Sequence, residues 1–185
     1  AGVQAGGGTP FRFNTITVTD GIAMGHQGMK SSLISREVIA DSVELSMRGH
    51  CYDALVGFAG CDKSLPGMMM AMLRLNVPSI FVYGGSILPG QFDGKDVTVK
   101  DVFEAVGQHA AGNCPLQELI ALEKVACPGH GACGGQYTAN TMACVGEAIG
   151  LSLPNSNMVP APYQSRAEIA VAAGRQVMTL LERNL

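Results

Sequence analysis

The sequence predicts an α/β fold in which a parallel or mixed β-sheet is flanked by helices on both faces, in three layers. Two short apolar runs, ALVGFA (54–59) and PSIFVY (78–83), have the continuous hydrophobic character of strands that are buried on both faces. Segments with helical patterns alternate with these runs, which is typical of a sheet covered by helices. The chain has 185 residues, of which 47% are hydrophobic, and this is enough for one domain with a core or for two very small domains.

The first half of the chain supplies the predicted strands. The alternating, β-branched segment 11–19 predicts a first strand that ends at Asp20-Gly21. Ser31 or Ser32 is expected to cap a helix that runs to about Arg48. The predicted apolar side of this helix consists of Leu33, Ile34, Val38, Leu45 and Met47. A Met-rich helix over 66–75 is expected between the two buried runs, with its methionines serving as packing residues.

The second half of the chain is predicted to be helical between loops. Residues 89–96 and 154–162 are expected to form loops, because proline, glycine and polar residues dominate them. The predicted helices are 99–111, 115–125, 137–149 and a last one near 169–181. The last helix has the clearest periodicity, with apolar residues at the i, i+3, i+4 and i+7 positions.

Composition excludes several classes of protein. The net charge of −3 gives no basic surface for nucleic acid, and the apolar runs are far shorter than the ~20 residues of a membrane span. The chain opens without the charged region of a signal peptide, and its six cysteines therefore indicate reduced thiols rather than a disulfide framework. We expect a cytoplasmic protein, or one of the mitochondrial or plastid matrix if its source is eukaryotic.

Three groups of residues directly follow predicted strands: Asp20, Cys61-Asp62-Lys63 and Gly84-Gly85. Because ligands of such sheets bind at the carboxyl ends of the strands, these groups are expected to share one site. Two carboxylates there suit a hard cation such as Mg²⁺, and a neighbouring thiolate suits a softer iron centre. The alternatives are ordinary: Asp20 as a turn residue or cap, Cys61 as a small buried residue, and Asp62-Lys63 as an exposed pair.

The loop CPGHGACGG (127–135) is the second candidate site. Its glycines allow the backbone to approach a ligand closely. Zinc binding through Cys127, His130 and Cys133 is a rival interpretation, but it lacks a fourth ligand nearby. Neither the Gly6-Gly7-Gly8 run nor the segment 90–96 has the spacing of a nucleotide-binding loop. The remaining cysteines, Cys51, Cys114 and Cys144, are interpreted as structural thiols.

Taken together, the motifs resemble the N-terminal half of the dihydroxy-acid dehydratase and phosphogluconate dehydratase family, and are closer to the dihydroxy-acid branch. The resemblance extends over nearly the whole chain. Its motifs are DGIAMGH (20–26), SRE (35–37), IADS (39–42), GCDK (60–63), PGM (66–68), YGGS (83–86), GACGG (131–135) and YTANTM (137–142).

The resemblance implies an iron–sulfur cluster, with a 2Fe-2S form favoured over 4Fe-4S, beside a Mg²⁺ site. Cys61 and Cys133 match cluster ligands, Asp20 and Asp62 match magnesium ligands, and Lys63 matches a lysine that binds magnesium through a carbamate. An ammonium would repel Mg²⁺, whereas a carbamate presents an anionic oxygen. Because carbamylation needs a neutral amine, we expect burial and a nearby cation to lower the pKa of Lys63 from near 10.4.

The implied reaction is dehydration of a 2,3-dihydroxy acid to a 2-keto acid in valine and isoleucine biosynthesis. A sugar-acid dehydratase of the same family is the alternative. Residues 1–185 are expected to form the N-terminal domain of a two-domain enzyme, a homodimer or larger, without its first cluster cysteine. The catalytic base and a further metal-binding glutamate are expected in the C-terminal domain, so this chain alone is expected to be inactive. The rival from another class is a non-catalytic truncated module.

Overall fold

The computed structural model describes residues 1–185 and contains eight helices and four strands. The helices are α1 (Gly2–Ala5), α2 (Asp20–Ala23), α3 (Met29–Gly49), α4 (Ser64–Leu75), α5 (Val99–Ala110), α6 (Leu116–Val125), α7 (Thr138–Ala148) and α8 (Ser165–Glu182). The strands are β1 (Leu55–Ala59), β2 (Ser79–Tyr83), β3 (Gly90–Phe92) and β4 (Lys95–Val97). None of the helices combines the length and the apolar character that a membrane span requires.

The central sheet is built from β1 and β2, which run parallel with Leu55 opposite Ser79 and Ala59 opposite Tyr83. Helix α4 connects the two strands, which makes this part of the chain a βαβ unit. A single parallel bridge between Phe81 and Ser152 extends the pairing on the other side of β2. The carboxyl ends of β1 and β2 therefore lie side by side.

Helices cover both faces of this sheet, which confirms the predicted three-layer α/β arrangement. Because successive side chains of a strand point to opposite faces, Phe81 and Tyr83 pack into the larger core with α3, α4 and α7. Ile80 and Val82 point the other way and pack against α8. The buried methionines of α4, among them Met68 and Met72, belong to the larger core, as their predicted packing role requires.

The prediction of a strand over residues 11–19 is wrong. This segment has no ladder partner, and Phe11 and Ile16 remain largely exposed. Its aromatic side chains stack on Tyr52 instead, with ring centroids 5.5 Å apart for Phe11. Alternation selects a strand only where a neighbouring strand takes up the backbone hydrogen bonds. Asp20 consequently does not follow a strand but opens the short helix α2.

The prediction of a loop over residues 89–96 is also wrong, because β3 and β4 form an antiparallel hairpin there. Asp93 and Gly94 make its turn with φ values of 48° and 72°, the left-handed region that Asp-Gly favours in tight hairpins. Helices α4 to α8 and the strands β1 and β2 lie where the sequence predicts them, within a few residues at each end, whereas the short helices α1 and α2 have no counterpart in the prediction.

Helix α3 begins earlier than predicted, and the face that it buries is largely not the predicted apolar side. Gly28 precedes its first residue, so neither Ser31 nor Ser32 is the cap. The predicted apolar side is mostly exposed, and Ile34 and Leu45 are 65% and 71% accessible. The buried face instead carries Ser32, Ser35, Ile39, Ala40, Val43 and Met47. Tertiary packing on α4 therefore overrides the hydrophobic pattern of this helix.

Candidate functional site

The turn between β1 and α4 presents Cys61, Asp62 and Lys63 at the carboxyl end of the sheet. The Ser64 hydroxyl donates to the Cys61 carbonyl at 2.9 Å and accepts from the Cys61 N–H at 3.1 Å. The N–H of Gly84, just after β2, donates to the carbonyl of Ala59 at 2.8 Å. These bonds hold the turn in one conformation beside the end of the neighbouring strand.

Asp20 reaches the same place from a distant part of the chain. Lys63 Nζ donates to Asp20 Oδ2 at 2.8 Å across 43 positions of sequence, and it also contacts Asp62 Oδ2. The Lys63 side chain is 14% exposed, and the two carboxylate side chains are each 11% exposed. The structure therefore brings together the three predicted magnesium-binding residues, and we call this group the Asp20–Asp62–Lys63 cluster.

The two carboxylates of this cluster differ in their pKa. Burial raises the pKa of Asp62, and hydrogen bonding to Asp20 raises it further, against the opposing effect of Lys63. Burial acts on Asp20 in the same direction, but hydrogen bonds to Asp62, Lys63 and Ser32 outweigh it, so the pKa of Asp20 is lowered. When two adjacent carboxylates share one positive counter-charge, the pKa of one is expected to rise and that of the other to fall. Asp20 is thus the more readily ionised member.

The pKa of Lys63 is raised in this structure; the expected lowering depends on a bound cation as well as on burial, so it stays a prediction for the metal-bound protein. Burial does act to lower it, but hydrogen bonds and charge interactions with Asp20 and Asp62 have the larger combined effect. Lys63 in this structure is an ammonium held by two carboxylates. The alternative of an exposed Asp62-Lys63 pair is therefore also wrong, because the group is largely buried and includes Asp20.

The donor set of the cluster fits a hard divalent cation. Asp62 Oδ1 is buried and has no hydrogen-bond partner, so one oxygen of this carboxylate is free to bind. The Lys63 ammonium is a positive group between two carboxylates, which shows that their oxygens can converge on one cation. No group of three or more His, Cys, Asp or Glu side chains has metal-ligand geometry. A cation held by Asp20 and Asp62 therefore needs further oxygen ligands, which a carbamate or a substrate can supply.

The second predicted loop is fastened beside the first by backbone hydrogen bonds. Ala132 N–H donates to the Gly85 carbonyl at 2.8 Å, and Ile87 N–H donates to the Ala132 carbonyl at 2.7 Å. Gly131 has a φ of 138°, and a Cβ on it would lie 2.5 Å from the Ile87 nitrogen. Only glycine therefore fits at this contact.

Cys133 directly follows Ala132, whose bridge to Ser86 places it next to the residues after β2. Burial raises the pKa of its thiol, and the charges of Cys61 and Asp62 raise it further. The thiol of Cys61 contacts a different segment, with its Sγ 3.9 Å from the Val18 carbonyl oxygen. The two predicted cluster ligands thus share one electrostatic environment. The raised pKa keeps Cys133 protonated in this structure, and because an iron–sulfur cluster binds cysteines as thiolates, binding a cluster would displace this proton.

The other cysteines do not join this site. Cys127 is exposed, and it forms no metal-binding group with His130 and Cys133, so the zinc interpretation has no geometric support. Cys114 is buried at the start of α6, and Cys144 Sγ contacts Met158 Sδ at 3.6 Å. Neither thiol lies in a group of potential metal ligands.

Sequence reasoning missed one residue of the site. Ser32, predicted as a helix cap, is fully buried, and its hydroxyl donates to Asp20 Oδ1. The only indication in the sequence is that Ser32 and Ser35 are one turn apart on a face that continues with Ile39 and Val43. Such a pattern shows polar groups on a buried face, but it does not reveal their partners.

Comparison with known proteins gives a match over the complete chain. A family model described as "Dihydroxy-acid/6-phosphogluconate dehydratase N-terminal" matches residues 1–185. The chain is 76% identical over 184 residues to a protein of Parvibaculum lavamentivorans named dihydroxy-acid dehydratase, covering 100% of this chain and 32% of that protein. It is 72% and 71% identical to proteins of the same name from Pelagibacter ubique and Dinoroseobacter shibae, with the same coverage. The chain thus spans about a third of the length of these relatives.

Proposed function

The chain belongs to the dihydroxy-acid/6-phosphogluconate dehydratase family, and from this premise we propose that it provides the metal-binding part of a hydro-lyase. The reaction removes water from a 2,3-dihydroxy carboxylic acid and yields a 2-keto acid. The observation that carries the proposal is the convergence of Asp20 and Asp62 on one positive group, with Cys61 in the same turn and the Cys133 loop hydrogen-bonded to the residues after β2. A surface ion pair would not need a buried carboxylate oxygen without a partner.

Asp20, Asp62 and a carbamylated Lys63 are proposed to hold Mg²⁺, and Cys61 and Cys133 to bind an iron–sulfur cluster, 2Fe-2S in preference to 4Fe-4S. When bound, these groups supply Lewis acids that polarise the carboxylate and hydroxyl oxygens of the substrate. The chain's own residues hold the carboxylates of Asp20 and Asp62 close together and largely shielded from solvent. They also fasten the Cys133 loop against the residues after β2. We assign no general base to this chain.

The proposed substrate is 2,3-dihydroxy-isovalerate, as in valine and isoleucine biosynthesis. The support comes from the relatives, which are named dihydroxy-acid dehydratases at 71% to 76% identity. A sugar acid is the alternative substrate within the same chemistry. We further propose a cytoplasmic homodimer or larger oligomer, which is consistent with the exposed apolar side chains of α3, such as Ile34 and Leu45.

The test uses the full-length protein with Mg²⁺ and its iron–sulfur cluster, supplied with 2,3-dihydroxy-isovalerate or a sugar acid. The amount of 2-keto acid formed identifies the substrate. Asp62→Asn should abolish this activity because it removes an anionic ligand, and the matched variant Asp41→Asn should leave it unchanged. Asp41 is exposed on α3 and pairs with Arg74 at 2.6 Å, away from the cluster.

Two results would contradict the proposal. Absence of keto-acid formation from both substrate classes by the loaded, folded protein would favour a non-catalytic module. Activity of Asp62→Asn equal to that of Asp41→Asn would mean that the Asp20–Asp62–Lys63 cluster is only structural.

A further inference from the structure

The two oxygens of the Asp20 carboxylate have different partners in this structure. Oδ2 accepts a hydrogen bond from Lys63 at 2.8 Å, on the side that faces Asp62. Oδ1 accepts from the Ser32 hydroxyl, which comes from the first turn of α3. Ser32 is 0% exposed, so no water competes for this hydroxyl.

The partner of the Ser32 hydroxyl differs from those of Ser35, Ser42 and Ser46 on the same helix. Ser35, Ser42 and Ser46 each donate to a main-chain carbonyl three or four positions earlier, at 2.7 to 2.9 Å. This is the common choice for a serine inside a helix. Ser32 instead donates to the side chain of Asp20 on α2. The hydroxyl therefore links two elements and orients a carboxylate, rather than satisfying its own helix.

We propose that Ser32 is a positioning residue that holds the Asp20 carboxylate with Oδ2 directed at the cation site. This inference rests on the proposed function, because it concerns the cation that Asp20 and Asp62 are proposed to bind. A carboxylate can rotate about two side-chain bonds, and a fixed donor on Oδ1 restricts this rotation. Without Ser32, Oδ1 becomes a buried acceptor that lacks its donor, and the carboxylate turns to find another.

Hydrogen-bond partners of metal ligands commonly change metal affinity by roughly 10- to 100-fold when they are removed. We therefore expect Ser32→Ala to weaken divalent-cation binding by roughly tenfold or more. The matched control is Ser35→Ala, since Ser35 is equally buried on the same helix face but donates to the Ser32 carbonyl at 2.7 Å. The affinity of the Ser35→Ala variant for the divalent cation should equal that of the wild type.

The experiment measures Mn²⁺ affinity of the full-length protein from the electron paramagnetic resonance signal of the free ion, which does not depend on turnover. A double-mutant cycle with Asp20→Asn separates positioning from a general effect on the fold. If Ser32 acts through Asp20, Ser32→Ala weakens binding in the wild-type background and has no further effect beside Asp20→Asn. Ser32→Cys is a second variant of nearly the same size with a weak donor, and it should lose affinity as Ser32→Ala does.

The outcomes distinguish this inference from the proposed function. If the wild type binds no Mn²⁺, or if Asp62→Asn does not weaken binding, the proposed cation site itself is wrong. If Asp20→Asn and Asp62→Asn weaken binding but Ser32→Ala and Ser32→Cys do not, only the role of Ser32 is overturned. The role of Ser32 would also be overturned if Ser32→Ala weakened Mn²⁺ binding equally in the wild-type and Asp20→Asn backgrounds. Ser32 would then act on the fold in general and not through Asp20.

Discussion

Asp20 and Lys63 form a 2.8 Å ion pair that joins helix α2 to the turn before helix α4. The pair is nearly inaccessible to solvent and includes Asp62 as a second acceptor for the same ammonium. Exposed ion pairs contribute little to stability, whereas breaking a desolvated group leaves a charge without a partner. The Asp20–Asp62–Lys63 cluster is therefore expected to respond strongly to single substitutions.

Lys63→Arg should abolish dehydratase turnover in the full-length protein while the protein stays folded. A guanidinium can still pair with both carboxylates, but it cannot form a carbamate and remains positive beside a cation. Keto-acid formation and thermal unfolding are the measurements, with Lys100→Arg as the control because Lys100 lies on the exposed face of α5 beside Glu104. Turnover close to that of the wild type would reject the carbamate role.

Lys63→Met should destabilise the fold by about 2 kcal/mol near neutral pH, because two partly buried carboxylates lose their shared counter-charge. The raised pKa of Asp62 gives the sign of the pH dependence. A carboxyl that is protonated more readily in the folded state stabilises the fold at low pH, and this stabilisation is lost as pH rises through its folded pKa. Chemical denaturation of the variant at several pH values should therefore show a smaller deficit under acidic conditions. A deficit that is independent of pH would contradict this explanation.

Gly131→Ala should displace the Cys133 loop, since the new Cβ would lie 2.5 Å from the Ile87 nitrogen at a φ of 138°. We expect a loss of about 2 kcal/mol in the free energy of unfolding and a reduced iron and sulfide content of the full-length protein. Gly129→Ala is the matched control in the same loop, where a Cβ meets no atom within 4 Å. Equal iron content in the two variants would show that the loop position does not matter for the cluster.

Tyr83 should titrate only at strongly alkaline pH. Burial at the end of β2, followed by the charge of Cys133, raises its pKa to about 12. The folded state then keeps its proton longer than the unfolded state. The associated stability is present below pH ~10 and is lost as pH rises towards the folded pKa, by about 3 kcal/mol in full. The absorbance titration of Tyr83→Phe should lack the tyrosine ionisation near pH 12, and the alkaline fall in stability should be smaller. An unchanged titration curve would contradict the assignment.

The buried strands and most helices could be predicted because their causes are local. The run 78–83 is buried on both faces as its continuous apolar pattern predicts, whereas Phe58 in the run 54–59 is 56% exposed. The period of α8 places Ala173 and Val177 on one side. The hairpin at 90–97 also had a local indication, the Asp93-Gly94 pair, which predicts a tight turn between strands. The alternating pattern of segment 11–19 was not enough to show whether it forms a strand. A strand needs a neighbouring strand for its backbone hydrogen bonds, and alternation within one segment does not show whether such a neighbour exists.

The sequence by itself determined the family, the α/β class and the position of Asp62 and Lys63 after a buried strand, since each depends on motifs or on neighbouring residues. Only the tertiary structure decided how Asp20 reaches Lys63, that Ser32 orients Asp20, and that Gly131 fits against Ile87. These contacts join residues 12 to 44 positions apart, so they depend on how α2 packs on α3 and how the Cys133 loop meets the residues after β2. The direction of the shift in the pKa of Lys63 was decided in the same way: two carboxylates raise it, and one of them, Asp20, reaches Lys63 only through folding.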